Sequence, residues 1–155
     1  MSDLEMVQRT ITERVPFARE LAVRIEQVGP DRAVASMPFA TQRANHIGTV
    51  HAAAQFGLGE TVAGALAFVA FADLQRAGYL PVVASASITY HRPAGGDLRA
   101  EATITPDEQA RARAGIASEG KGRYTVQVAM TNAAGETVTE MRVDGALIIP
   151  RERKG

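Results

Sequence analysis

Between Ile47 and Ala72 the chain is almost uncharged, and only two side chains in that stretch can ionise, His51 and Glu60. A carboxylate on a buried helix is costly to ionise unless it is paired or put to use. Glu60 is therefore either a structural acid, bonded to nearby backbone or to a partner subunit, or a general base or nucleophile. His51 stands where a helix through this stretch would begin, so it is either a capping histidine or part of a site. The next two amides, of Ala52 and Ala53, are first-turn donors with no intrahelical acceptor, at the positive end of the helix dipole. An acyl carbonyl docked on them would be polarised, and the oxyanion that develops on attack would be held. His51 and Glu60 are nine residues apart. At about 100° per residue they point to opposite sides of one helix. One copy cannot aim both at a small substrate, but two copies packed antiparallel across a dimer interface can. The expectation is a homodimer or a dimer of dimers, with a site built from both subunits.

The surrounding elements have to place these residues. Leu4, Val7, Ile11 and Val15 recur at helical spacing and predict a short helix over about 3–15, capped by Ser2 or Asp3. Leu21, Val23 and Ile25 alternate with Arg24 and Glu26 as in a strand. A turn at Gly29-Pro30-Asp31 leads to a second strand, Arg32 to Met37. After a loop from Thr41 to Gly48, one long helix is predicted from Val50 to about Ala77, closed near Gly78. It is apolar on every side, as in a helix buried all round. Gly57, Gly59 and Gly64 weaken it by about 1 kcal/mol each relative to alanine, and close approach of neighbouring backbone is the expected return. The second half alternates as strands do: Val82 to His91, Leu98 to Ile104, Tyr124 to Met130 and Thr137 to Ile149. Turns are expected at Pro93 to Gly96 and at Asn132 to Gly135. Thr105-Pro106-Asp107-Glu108 has capping-box spacing and predicts a short helix to about Ser118. Arg151 to Gly155 reads as a polar tail. One buried helix with about six strands predicts an α+β fold, an antiparallel sheet wrapped around that helix. At 155 residues the chain is expected to form one domain over 1–155.

Several function classes fall away. Seventeen basic residues balance seventeen acidic ones, without the basic surplus of a general nucleic-acid binder. The chain has no cysteine, which excludes disulfides, zinc–thiolate sites and a cysteine nucleophile, and suits the cytoplasm. His46, His51 and His91 have no helical ligand spacing, so neither a metal nor another cofactor is expected. No Gly-x-Ser-x-Gly elbow, P-loop or Gly-x-Gly-x-x-Gly occurs. Met1 to Val15 lacks the continuous apolar core of a signal peptide. The longest uncharged apolar run, Thr61 to Ala72, falls short of the roughly 20 residues that cross a bilayer. Neither membrane nor nucleic acid is expected as a partner.

Asn45-His46-Ile47-Gly48-Thr49-Val50-His51-Ala52-Ala53, followed by Leu58-Gly59-Glu60-Thr61, resembles the hotdog-fold thioesterases of the PaaI-like type. More narrowly it is similar to their DUF4442 relatives, whose pattern is Asn, Gly, His-Gly-Gly and then an acid nine positions after the histidine. Asn45 lies six before His51 and Glu60 nine after it, as in that pattern. Tyr90 to Ala94 followed by Gly96-Asp97-Leu98 resembles the family's strand and turn after the central helix. The resemblance covers about Val23 to Ile148. It implies a hotdog fold and an acyl-CoA thioesterase. The Ala52 amide would polarise the thioester carbonyl, with Ala53 beside it. Asn45 and His51 would position the thioester or a water. Glu60 from the other subunit would be general base or nucleophile. Arg92, Arg99, Lys121 and Arg123 would contact the phosphates of CoA, or else be solvated surface charge. Ser85, Ser87 and Thr89 would line an acyl tunnel or face solvent. Two departures stand out: alanines replace the family's paired glycines, and the acid is Glu rather than the Asp common in the PaaI-like group. The alternative is a hotdog protein that binds acyl-CoA or a lipid without turning it over. A hotdog hydratase ranks last, because the close Asp and His pair of such enzymes is not found.

Overall fold

The computed structural model describes residues 1–150, and the tail expected over 151–155 lies outside the described residues. Helix α1, Asp3–Arg14, begins at Ser2, whose hydroxyl accepts the Glu5 N–H while the Glu5 carboxylate accepts the Ser2 N–H. Its buried Val7 and Ile11 are two of the periodic residues read from the sequence. A second, five-residue helix follows, α2, Pro16–Glu20, which the periodicity did not reveal. It opens on a proline, whose fixed φ suits a first helical position. This extra turn delays the first strand, so β1 spans Arg24–Val28 rather than starting at Leu21. Strand β2, Arg32–Met37, pairs with it in a hairpin.

The expected single helix from Val50 to Ala77 is two. α3 spans Ala52–Ala70 and α4 spans Ala72–Arg76, with the break at Phe71. Phe71 is fully buried and its ring lies 5.0 Å from that of Tyr124. The Arg113 guanidinium stacks 5.3 Å over the Phe71 ring, and its Nη2 donates to the Ala70 carbonyl freed by the break. Four strands and one helix complete the fold: β3 (Leu80–Tyr90), β4 (Leu98–Thr103), α5 (Pro106–Glu119), β5 (Gly122–Thr131) and β6 (Thr137–Ile148).

The six strands form one antiparallel sheet in the order β1-β2-β4-β5-β6-β3. α3 lies against it and touches every strand. The register explains how so thick an element fits. Ala33 faces Ala102 and Ala35 faces Ala100 across β2 and β4, all four fully buried, so the sheet presents a shallow trough to the helix. Gly57 and Gly59 deepen the fit. A Cβ on Gly57 would lie 2.4 Å from Leu21 Cδ1, and one on Gly59 2.5 Å from Met141 Sδ. What these glycines make room for is side chains, not the backbone the sequence suggested. By length and composition α3 could cross a membrane, but here it is the core helix, with the sheet wrapped about it.

The two sheet edges differ. β1 is five residues long, is bulged between Ile25 and Gln27, and its Ile25 N–H is taken by Gln8 Oε1 of α1. Short, bulged and covered edges resist pairing with another chain. β3 is eleven residues long and, among the described residues, bonds to a strand on one side only. Val82 and Val83 on it are 38% and 41% exposed.

Candidate active site

The start of α3 is held by a braced loop. Asn45 Oδ1 accepts the N–H groups of Ile47 and Thr49, and its Nδ2 donates to Thr49 Oγ1 at 2.8 Å. Gly48, in the left-handed region at φ +79°, lets this loop double back. The Val50 N–H then donates to Ala94 and the His51 N–H to Arg43, both at 2.8 Å. Beneath the loop, the side chain of Gln55 is buried: its Nε2 donates to the Val50 carbonyl at 3.0 Å, and its Oε1 accepts from the Thr139 hydroxyl.

His51 is the helix cap. Its Nδ1 accepts the Ala53 N–H at 3.0 Å, which leaves Nε2 to carry the proton of the neutral ring and to donate outward. This corrects one expectation, because the Ala53 amide is occupied. The Ala52 N–H, by contrast, has no acceptor among the described residues. Ala52 lines a hollow of about 340 Å³ together with Asn45, Gln55, Tyr90 and Arg92. Tyr90 closes one wall, its hydroxyl donating to the Ala52 carbonyl at 3.0 Å. Burial raises the pKa of this phenol, so it remains a donor. Neither Tyr90 nor Gln55 emerged from the sequence as a site residue. Tyr90 stood in a strand alternation and in the stretch that resembles the family's strand and turn, without a role of its own, and the one available signal for Gln55 was an amide in a mostly apolar helix.

Glu60 lies elsewhere. It borders a separate cavity of about 150 Å³ between α1 and α3, whose walls include Val7, Ile11, Ala65 and Phe68. No hydrogen bond or ion pair reaches Glu60 among the described residues. Desolvation raises its pKa, which is the direction expected for an unpaired acid in an apolar setting. Within one chain, then, the helix-start hollow and Glu60 are not brought together.

The four candidate phosphate contacts are not brought together either. Arg92 borders the hollow and is paired with Glu136 at 2.5 Å. Arg99 sits on the outer sheet surface between Glu26 and Glu101. Arg123 is at the far end of β5, level with Ala146, and Lys121 lies just before that strand, whereas Tyr90 is level with Thr139. Strand geometry puts the two ends about 23 Å apart. Ser85 faces outward, its hydroxyl on Asp144, and Ser87 lies opposite Arg142. Neither serine borders the helix-start hollow or the cavity beside Glu60.

Comparison with known proteins agrees with this architecture. No curated protein matches the chain. A protein of unknown function from Pseudomonas aeruginosa, described as a probable thioesterase, is 29% identical, with 93% of this chain and 94% of that one covered and a TM-score of 0.81. A thioesterase from Haemophilus influenzae is 17% identical, covering 100% and 96%, at a TM-score of 0.76. A protein of unknown function from Chlorobaculum tepidum is 15% identical, covering 94% of each chain, at 0.83. The model of the family described as domain of unknown function DUF4442 matches residues 4–147. With a sheet wrapped on one central helix and a family match over nearly its whole length, this chain belongs to the DUF4442 family and has the hotdog fold.

Proposed function

We propose that the protein is a thioesterase that hydrolyses acyl-CoA to the free acid and CoA, at a site shared between two subunits of a homodimer or a dimer of dimers. One observation carries this reading. Ala52, whose helix-start N–H is unclaimed among the described residues, lines one hollow, while an unpaired, desolvated carboxylate, Glu60, borders a different cavity on the same helix. These are the two halves of an acyl hydrolase, directed apart. Two antiparallel copies of α3 set each half against its complement.

The thioester oxygen sits on the Ala52 N–H of one subunit. Glu60 of the partner subunit takes a proton from water as the water oxygen bonds to the carbonyl carbon. The tetrahedral oxyanion is held by the amide and the helix dipole. It collapses with cleavage of the C–S bond, and the CoA thiolate leaves and takes up a proton. Asn45 and Gln55 keep the amide in place by bracing the loop before it, and His51 fixes the first turn. The probable thioesterase from Pseudomonas aeruginosa, at 29% identity, supports the reaction class. A second reading, binding without turnover, is favoured by the exposed methyl groups of Ala52 and Ala53 and by the occupied Ala53 amide.

The test is a panel of acyl-CoA esters assayed by release of free thiol, with Glu60→Gln as control. Thiol release by the wild type that the variant lacks supports hydrolysis. Tight binding of the esters with no thiol release by either supports the second reading.

A further inference from the structure

Three glycines interrupt α3, and each lowers helix stability by about 1 kcal/mol relative to alanine. Two are explained by packing, since a Cβ at Gly57 or Gly59 would collide with Leu21 or Met141. Gly64 is different. A Cβ there would meet nothing within 4 Å, its φ is not in the left-handed region, and the residue is exposed. Neither packing in this chain nor backbone conformation demands a glycine. What Gly64 does border is the cavity beside Glu60. Its missing side chain enlarges that space.

The cavity has a definite chemistry. Val7, Ile11 and Val15 of the N-terminal segment form one wall, and Ala65 and Phe68 of α3 the other. Glu60 is the one ionisable group at its border, and two threonines, Thr10 and Thr61, are the other polar side chains. Both hydroxyls are already committed, to the carbonyls of Met6 and Gly57. With both O–H groups already donated and the walls otherwise apolar, Glu60 is the one charged group that such a space offers a ligand. The part walled by this chain, about 150 Å³ and open on one side, has room for about one ring.

Position supplies the occupant. A general base has to lie within hydrogen-bond reach of the water it activates. That water attacks the thioester carbonyl carbon, and the acyl substituent begins one bond further on. The apolar wall next to Glu60 is therefore the wall that the substituent meets. We propose that the α1–α3 cavity, kept open by Gly64, holds the acyl substituent of the thioester and is sized for a compact apolar group of about one ring, not a long fatty chain. This rests on the thioesterase reading above for the reaction, but the fit between cavity and acyl group can be tested without turnover.

Two measurements decide it on the intact protein. The first compares kcat/KM for benzoyl-, acetyl- and palmitoyl-CoA in the wild type, Gly64→Val and Ile11→Ala. The wild type should favour benzoyl-CoA. Gly64→Val should lower the benzoyl-to-acetyl ratio about tenfold or more, since single groups in an apolar pocket discriminate on that scale. Ile11→Ala should raise the palmitoyl-to-benzoyl ratio. Unchanged ratios in both variants, a wild-type preference for palmitoyl-CoA, or dissociation of an oligomer by Gly64→Val without a change in ratio would each overturn the assignment. The second is calorimetric titration with benzoyl-CoA and with free CoA. Benzoyl-CoA should bind more tightly to the wild type, and the difference should shrink in Gly64→Val; equal affinities overturn the cavity's role. If no ester is hydrolysed, the thioesterase reading fails and the titration still decides the cavity.

Discussion

Glu60 combines two costs, an apolar setting and the lack of any partner among the described residues. Its pKa is raised by desolvation, so the folded protein holds that proton more tightly than the unfolded chain does. Stability therefore falls as pH rises from the ordinary carboxylate range through the raised pKa, and the penalty is fully present above it. Glu60→Gln should abolish that slope, and its melting temperature at neutral pH should equal or exceed the wild type's. Activity should move the other way. A base must be deprotonated, so kcat should rise with pH through the raised pKa, and Glu60→Gln should cost about 100-fold or more. A folded Glu60→Gln protein with wild-type turnover would make the residue structural. Arg92 is the basic candidate at the helix-start hollow, so Arg92→Glu should raise KM for CoA esters while sparing a thioester that lacks the nucleotide. Equal effects on both substrates would remove the phosphate role. At this scale the sequence was partly legible. His51 and Glu60 stood out because charge is scarce in an apolar run. Tyr90 and Gln55 did not, because their importance comes from contacts across 38 and 84 positions, which no local spacing reveals.

Elements were read well where period and capping agreed, as in α1 and α5, and poorly where tertiary contacts set the boundary. The break at Phe71 depends on Tyr124 and Arg113, more than forty residues away, so the run from Val50 to Ala77 reads locally as unbroken helix. The start of β1 was displaced by α2, too short to show a period. Two glycine substitutions on different elements should have opposite signs. Gly64→Ala meets no atom and should stabilise the protein by about 1 kcal/mol. Gly122→Ala, where α5 lies on β5, would bring a Cβ to 2.7 Å from the Ala112 carbonyl oxygen and should destabilise by about 1–3 kcal/mol. Urea denaturation of both variants tests the pair, and the assignment of α5 as tightly docked fails if Gly122→Ala is neutral.

Among the described residues the two edges of the sheet are unlike, one capped by α1 and the other left open along β3 with exposed valines. Val83→Lys should shift the proposed oligomer towards monomer in light scattering and lower turnover in parallel, in a concentration-dependent way. A stable, active wild-type monomer would sink both the dimer and the shared site. The sheet order was not legible in the sequence, because β3 pairs only with β6 and that pairing leaves no local trace. It has a consequence for how the chain is made. Tyr90 waits for Thr139, and Leu80 for Ile148, near the end of the chain. Until β6 emerges from the ribosome, β3 has no ladder and one flank of α3 has no wall, so the most apolar stretch is synthesised long before its cover. Pairings this distant close slowly. A nascent chain halted after Glu136 should therefore bind holding chaperones, and a version truncated there should be recovered as aggregate, whereas one that includes Ile148 should stay in solution.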